Sequence, residues 1–167
     1  MILICYDGSA DAKAAIERAG ELFGGEPATV LTVWQPIAFV LARSSAGLIP
    51  IAGVDMEDVD AACREEAESL VAEGTELARA AGLDAHPLVR AQDTSTSEAI
   101  LNVADEARAS AIVIGSRGLT GLKSLLLGSV SHAVIQHADR TVVVVPSPGV
   151  ASSRAGLRET AGGRRHK

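Results

Sequence analysis

Along this chain, short runs of consecutive apolar residues alternate with longer segments in which apolar positions recur every three or four residues. The opening run "MILICY" carries no charge, the pattern of a strand buried on both faces. It meets Asp7-Gly8-Ser9. Beyond that turn Ala12, Ala15, Ile16, Ala19, Leu22 and Phe23 share one face of a helix predicted over 10–23. Ser9 is placed to cap it, and Asp11 suits its positive first turn. A second strand is predicted over 28–34. A long helix over roughly 55–81 follows, with Val59, Cys63, Ala67, Leu70, Val71, Leu77, Ala78 and Ala81 as its buried stripe. Gly74 interrupts that stripe, where glycine costs about 1 kcal/mol relative to alanine. The pattern then gives a strand over 83–91 and a helix over 95–109 with Ile100, Leu101, Val103, Ala104 and Ala107 inward. A strand over 110–116, a short helix over 130–138 and a valine-rich strand over 141–146 complete it.

Strand alternating with helix predicts one α/β domain, an open five-stranded parallel sheet with helices on both faces. The stretch 35–53 fits neither period. A long apolar connection in a compact domain is usually functional, so it is read as a lid over a pocket or part of a partner surface.

Composition narrows the picture. Hydrophobic residues make up 47% of the chain, yet Tyr6, Phe23, Trp34 and Phe39 are its only aromatic ones, so the core must be aliphatic. Residues 147–167 hold five basic residues against Glu159, a net +4 within a total of −6, which leaves −10 on residues 1–146. An acidic body with few stacking rings argues against nucleic acid as a partner. The Gly- and Ser-rich segment 147–167 is expected to be a disordered basic tail. The apolar stretch near 36–54 is broken by Pro36, Arg43, Ser44, Ser45 and Pro50, so no membrane span is expected. Two cysteines make no disulfide framework, and the start has no basic-flanked signal. These features favour the cytoplasm.

The candidate chemistry lies in residues 113–138, which hold Gly115, Gly118, Gly121 and Gly128 and no carboxylate. The segment follows an apolar strand and leads into a helix. Ligands of open α/β sheets bind at the carboxyl ends of strands, and a helix start there offers free amides and a positive dipole end. Glycine lets a phosphate approach those amides. Ser116, Arg117, Lys123, Ser129 and Ser131 add donors. A Walker A loop is absent, since Thr120 and Lys123 stand five positions beyond Gly115 and Gly118, where its second glycine is required. The dinucleotide fingerprint fails at Arg117, and no Gly-x-Ser-x-Gly elbow is present.

The pattern that is present is Gly115-x-x-Gly118, nine residues, then Gly128-Ser129. In this motif, in "ILICYDGS" and in the order of its elements, the chain resembles the universal stress protein family over residues 1–146. The resemblance implies a Rossmann-like fold, of the adenine nucleotide alpha hydrolase-like kind, and an ATP site, with any Mg²⁺ arriving on the nucleotide. By position, Gly115, Ser116, Arg117 and Gly118 would wrap the ribose and phosphates. Gly128, Ser129, Val130 and Ser131 would hold the phosphates. Asp7 would meet ribose or base, with Cys5 and Tyr6 alongside, and Val33 would line the adenine pocket. Three departures bear on base preference: bulky Tyr6, which would crowd or stack on the base; "AQDTSTSEAI", lacking a common Gly-x-Pro; and Thr141 in place of a common proline. The resemblance also implies a homodimer through strand 141–145, and an exposed apolar edge strand needs such a partner.

Plainer roles stand beside these. The glycines could make a tight turn, Asp7 could shape the first turn, Arg117 could be a solvated loop charge, and Ser129 reads as a helix N-cap. His132 and His137 are five apart and do not share a helical face as a metal pair would. Cys5 and Cys63 read as buried hydrophobes. Phosphoryl transfer needs a base and metal ligands, and Asp7 is the one nearby acid, so the expectation is a regulatory ATP-binding protein without catalytic residues. The alternatives are a cyclic-AMP binder or a slow ATP hydrolase.

Overall fold

The computed structural model describes residues 1–43, 55–118, 127–152 and 155. Its elements run β1 (Ile2–Cys5), α1 (Ala10–Phe23), β2 (Pro27–Trp34), α2 (Ile37–Arg43), α3 (Met56–Ala80), β3 (Asp84–Ala91), α4 (Thr96–Glu106), β4 (Ala111–Gly115), α5 (Ser129–His137) and β5 (Thr141–Val145). The strands form one parallel sheet in the order β3-β2-β1-β4-β5. The chain therefore builds outward from β1 to β3 and then returns to β1's other side. That reversal opens a crevice at the carboxyl ends of β1 and β4.

Side chains alternate across β1. Ile2, Ile4 and Tyr6 join Ala15, Ile16, Val71 and Ala78 in a core beneath α1 and α3. Leu3 and Cys5 join Leu31, Ile100, Val103, Ile112 and Val134 in a second core beneath α4 and α5. With both faces covered, the central strands need no polar alternation, which is why they read as continuous apolar runs. Arg140 seals the end of α4: its Nη1 donates to the carbonyls of Ala104 at 2.7 Å and Ala109 at 3.1 Å. A cation there also offsets the negative end of the helix dipole.

Several expectations need correction. Part of 35–53 is helical, as α2, while 44–54 lies outside the described residues. Leu22 and Leu77, assigned to buried stripes, are 55% and 38% exposed. The segment expected to be a disordered tail from 147 is ordered where it is described. Residues 148–152 are helical, Ser147 and Val150 are buried, and the Ala151 amide donates to the Ser147 carbonyl at 2.9 Å.

Gly74 has a specific cause. Its α-carbon faces the buried Tyr6 ring, and an added Cβ would stand 2.6 Å from the ring's Cδ1. Intrinsic helix propensity alone would make Gly74→Ala stabilising by about 1 kcal/mol. The overlap reverses the sign, and we expect a loss of about 1–3 kcal/mol in urea denaturation. In a Tyr6→Leu background the same substitution should cost less. A gain in the wild-type background would mean that the ring yields freely.

Candidate functional site

A cavity of about 350 Å³ sits at the carboxyl ends of β1, β2 and β4, within the size range of small-molecule sites. Its walls include eleven of the twelve residues named from the sequence: Cys5, Tyr6, Asp7, Val33, Gly115, Arg117, Gly118, Gly128, Ser129, Val130 and Ser131. Ser116 is the exception. It is fully buried, and its hydroxyl donates to Asp11 Oδ2 at 2.7 Å instead of facing a ligand. Lys123 lies outside the described residues.

The three motif glycines turn out to serve different ends. A Cβ on Gly115 would strike the backbone of α1, 2.8 Å from the Asp11 carbonyl carbon and 2.9 Å from the Ala12 nitrogen. One on Gly118 would lie 2.7 Å from Asp7 Oδ2. Both positions are small because the protein's own atoms fill the space. Gly128 differs: its φ of −71° and ψ of 158° suit any residue, and a Cβ would meet nothing closer than 3.4 Å among the described residues. Neither its backbone angles nor packing against the described residues accounts for glycine there.

Gly128 is also the N-cap of α5, and as a glycine it makes no side-chain cap hydrogen bond. Ser129, expected as the cap, is instead its exposed first residue. Ser131 turns its hydroxyl backwards, donating to the carbonyls of Ser116 at 3.0 Å and Gly128 at 3.1 Å. The helix start thus presents its amides to the cavity with the positive dipole end behind them.

Behind this floor stands Asp11, which the sequence reading treated only as a first-turn acid. It is 6% exposed and accepts from the Ser116 hydroxyl and, at 3.1 Å, from the Arg117 amide. The Arg117 guanidinium approaches to 4.0 Å, so this arginine is a half-buried partner of Asp11 rather than a solvated loop charge. Burial opposes the Asp11 charge, but hydrogen bonds from Ser147 and Ser116 and the nearby guanidinium outweigh it and hold the carboxyl below its ordinary 3.8. Nothing local in the sequence marks this, because the partners lie more than 100 residues away in the chain.

At the front, Asp7 accepts from the Ser9 amide at 3.0 Å, so it does shape the first turn while lining the cavity. Ser9 caps α1 as expected, accepting from the Ala12 amide. Burial, with Asp7 nearby, pushes the Cys5 thiol up to about 12, which keeps it neutral. Tyr6 neither crowds nor stacks into the cavity. Its ring lies on the opposite face of the sheet under Gly74, and burial followed by the neighbouring Glu73 raises its phenol above the ordinary range. The remaining wall is apolar at Leu31, Ile100 and Ile114, with Gln35 and Thr96 at the rim. The sequence did not mark these residues as part of the site.

Residues 1–146 match the universal stress protein family. The chain belongs to that family. Universal stress protein YxiE of Bacillus subtilis is 30% identical over 146 residues, which cover 86% of this chain and 97% of the relative. The universal stress protein of Archaeoglobus fulgidus solved in complex with dAMP shares the fold at a TM-score of 0.58 and 23% identity, over 86% of this chain and 95% of that one. A universal stress protein in complex with cAMP does so at 0.61 and 21%, over 87% and 95%. Among the described residues of this universal stress protein, no helix is long and apolar enough to cross a membrane, and no cluster of His, Cys, Asp or Glu is arranged to hold a metal.

The depressed Asp11 pKa has a pH consequence. Its stabilisation is complete above the ordinary carboxylate value and fades as pH falls through the lowered one. Asp11→Asn should therefore cost about 1.5–3 kcal/mol at neutral pH, the worth of hydrogen bonds to a buried charge. The gap between the two proteins should narrow once pH drops below 3.8. Urea midpoints at neutral and acid pH would test this, and a gap independent of pH would rule out the titration of Asp11 as the cause.

Proposed function

We propose that this chain binds an adenine nucleotide, ATP foremost, as a regulatory protein of the stress response acting as a homodimer. The observation that carries the reading is Gly128, a glycine that neither its backbone angles nor its neighbours among the described residues require, set at a helix start that lines the cavity. A phosphate group drawn down onto the amides of Ser129, Val130 and Ser131 would use that space. From there a nucleotide extends across β1 towards β2, where Leu31, Val33 and Ile100 offer an apolar seat for the base. The dAMP and cAMP named for the two solved relatives are of the same ligand class.

Binding is favoured over turnover. Asp7 is the single carboxylate among the described lining residues, and one of its oxygens accepts from the Ser9 amide. Cys5 is held as a neutral thiol, so it offers no thiolate nucleophile. When bound, Mg²⁺ would accompany the nucleotide, held mainly by phosphate oxygens and water.

The dimer reading rests on the two sheet edges. Edge strand β3 carries Asp84, His86, Pro87 and Arg90, residue types that discourage further pairing. Edge strand β5 is Thr-Val-Val-Val-Val and carries none of them. Sedimentation should give twice the chain mass.

Calorimetric titration of Mg-ATP into nucleotide-stripped protein tests the site. We expect saturable binding, with affinity falling at least about tenfold in Gly128→Glu, where a carboxylate faces the phosphates. Gly128→Ala should keep the wild-type melting temperature, since its Cβ fits. Absence of heat in the wild type would overturn the reading. Tighter competition by cyclic AMP than by ATP would favour the cyclic nucleotide as ligand.

A further inference from the structure

Beyond β5 the chain runs past residue 146, where the match to the family ends, and meets the first turn of α1 at Asp11. Residues 148–152 make one helical turn, opened by Pro148, whose missing amide suits a first helical position. The Ser152 hydroxyl donates to the Pro148 carbonyl at 2.9 Å, and Val150 and Ser147 are 6% and 8% exposed. The Ser147 carbonyl accepts from Ala151, while its hydroxyl and its amide both donate to Asp11. A carboxylate has about four acceptor positions. The two donors of Ser147, with the Ser116 hydroxyl and the Arg117 amide on Oδ2, use them. The contacts continue through Ser116. Its amide donates to the Val145 carbonyl at 2.7 Å, and its own carbonyl accepts from the Gly128 amide at 2.7 Å and the Ser131 hydroxyl at 3.0 Å. An unbroken run of hydrogen bonds thus joins Ser147 to the start of α5.

We propose that Ser147 is a positioning residue for the phosphate end of the cavity, fixing Asp11 so that Ser116 sets the start of α5 where its amides meet a ligand. The inference rests on the nucleotide reading given above. Without the hydroxyl of Ser147 the buried carboxylate is left short of a donor, and it turns to recover one. Turning it moves the Ser116 hydroxyl and the Arg117 amide, and the Gly128 amide follows Ser116. Ser147 does not line the cavity, so its effect on a ligand passes through Asp11.

Amide hydrogen exchange followed by NMR on the intact chain reads this arrangement without a ligand, and calorimetric titration of Mg-ATP reads its effect on binding. In Ser147→Ala the Arg117 and Gly128 amides should exchange about tenfold faster, beyond any change shared by the β2–β3 ladder, the scale of one lost hydrogen bond to a charge. Affinity for ATP should fall about fivefold or more at a temperature well below melting. In an Asp11→Asn background the same substitution should change either readout by less than about twofold, because the charge it serves is gone. Faster exchange shared equally by the β2–β3 ladder would make Ser147 a residue of the fold alone and overturn the inference. So would unchanged ATP affinity in Ser147→Ala, or an undiminished effect in the Asp11→Asn background, and each leaves nucleotide binding standing. Failure of the wild type to bind ATP would overturn the nucleotide reading and this role with it.

Discussion

The Asp11 carboxylate is the point on which the site depends. It sits in the first turn of α1, nearly out of water, and gathers two distant stretches of chain to it. The Ser116 hydroxyl and Arg117 amide come from the loop after β4. Ser147 comes from the stretch after β5. An isolated buried charge would be costly, and these donors turn the cost into a constraint: the loop after β4 must lie where it can satisfy the carboxylate. Gly115 is the corollary, since β4 approaches α1 so closely at this place that a methyl group does not fit. The cavity floor is thereby held by the fold itself, whether or not a ligand is present.

Seen this way, the glycine motif combines two requirements. Gly115 answers to the backbone of α1, a Cβ on Gly118 would press on the Asp7 carboxylate, and one on Gly128 would stand at ordinary contact distances from its described neighbours. Spacing in the sequence presents all three as one signature. Their physical reasons separate only when the neighbours of each are known. The two polar ends of the cavity are equally unlike: one offers amides in the field of a helix dipole, the other the side chains of Gln35 and Thr96 hydrogen-bonded to the buried Gln92. The apolar wall between them has no direction of its own, so orientation of a bound molecule would come from the ends.

The elements of the fold were legible in the sequence because each is a local pattern. Buried parallel strands appear as unbroken aliphatic runs, and α1 shows both a face and a capping serine. The helix α2 was missed because seven residues are too few to establish a period beside two prolines. Leu22 and Leu77 were misassigned because the stripe was extended to positions where the neighbouring element no longer covers it. At the site, eleven of the twelve named residues do line the cavity. Their roles were harder to read, since Ser116 turns away to Asp11, Tyr6 turns to the opposite face, and the cap of α5 is Gly128 and not Ser129. Each of these depends on a partner distant in the chain, and no window of sequence contains both.

Trp34 ends β2, half-buried, and its carbonyl accepts the Gln92 amide at 2.8 Å immediately before the chain turns into Gln35. The chain has one tryptophan and one tyrosine, and the tyrosine ring is on the far side of the sheet. Indole fluorescence from this protein therefore has a single origin, and that origin is covalently joined to the rim of the cavity. Its emission wavelength and quenching describe the polarity and solvent access of one known place, with no second emitter to subtract, so the molecule carries its own optical gauge at the end where a base would rest.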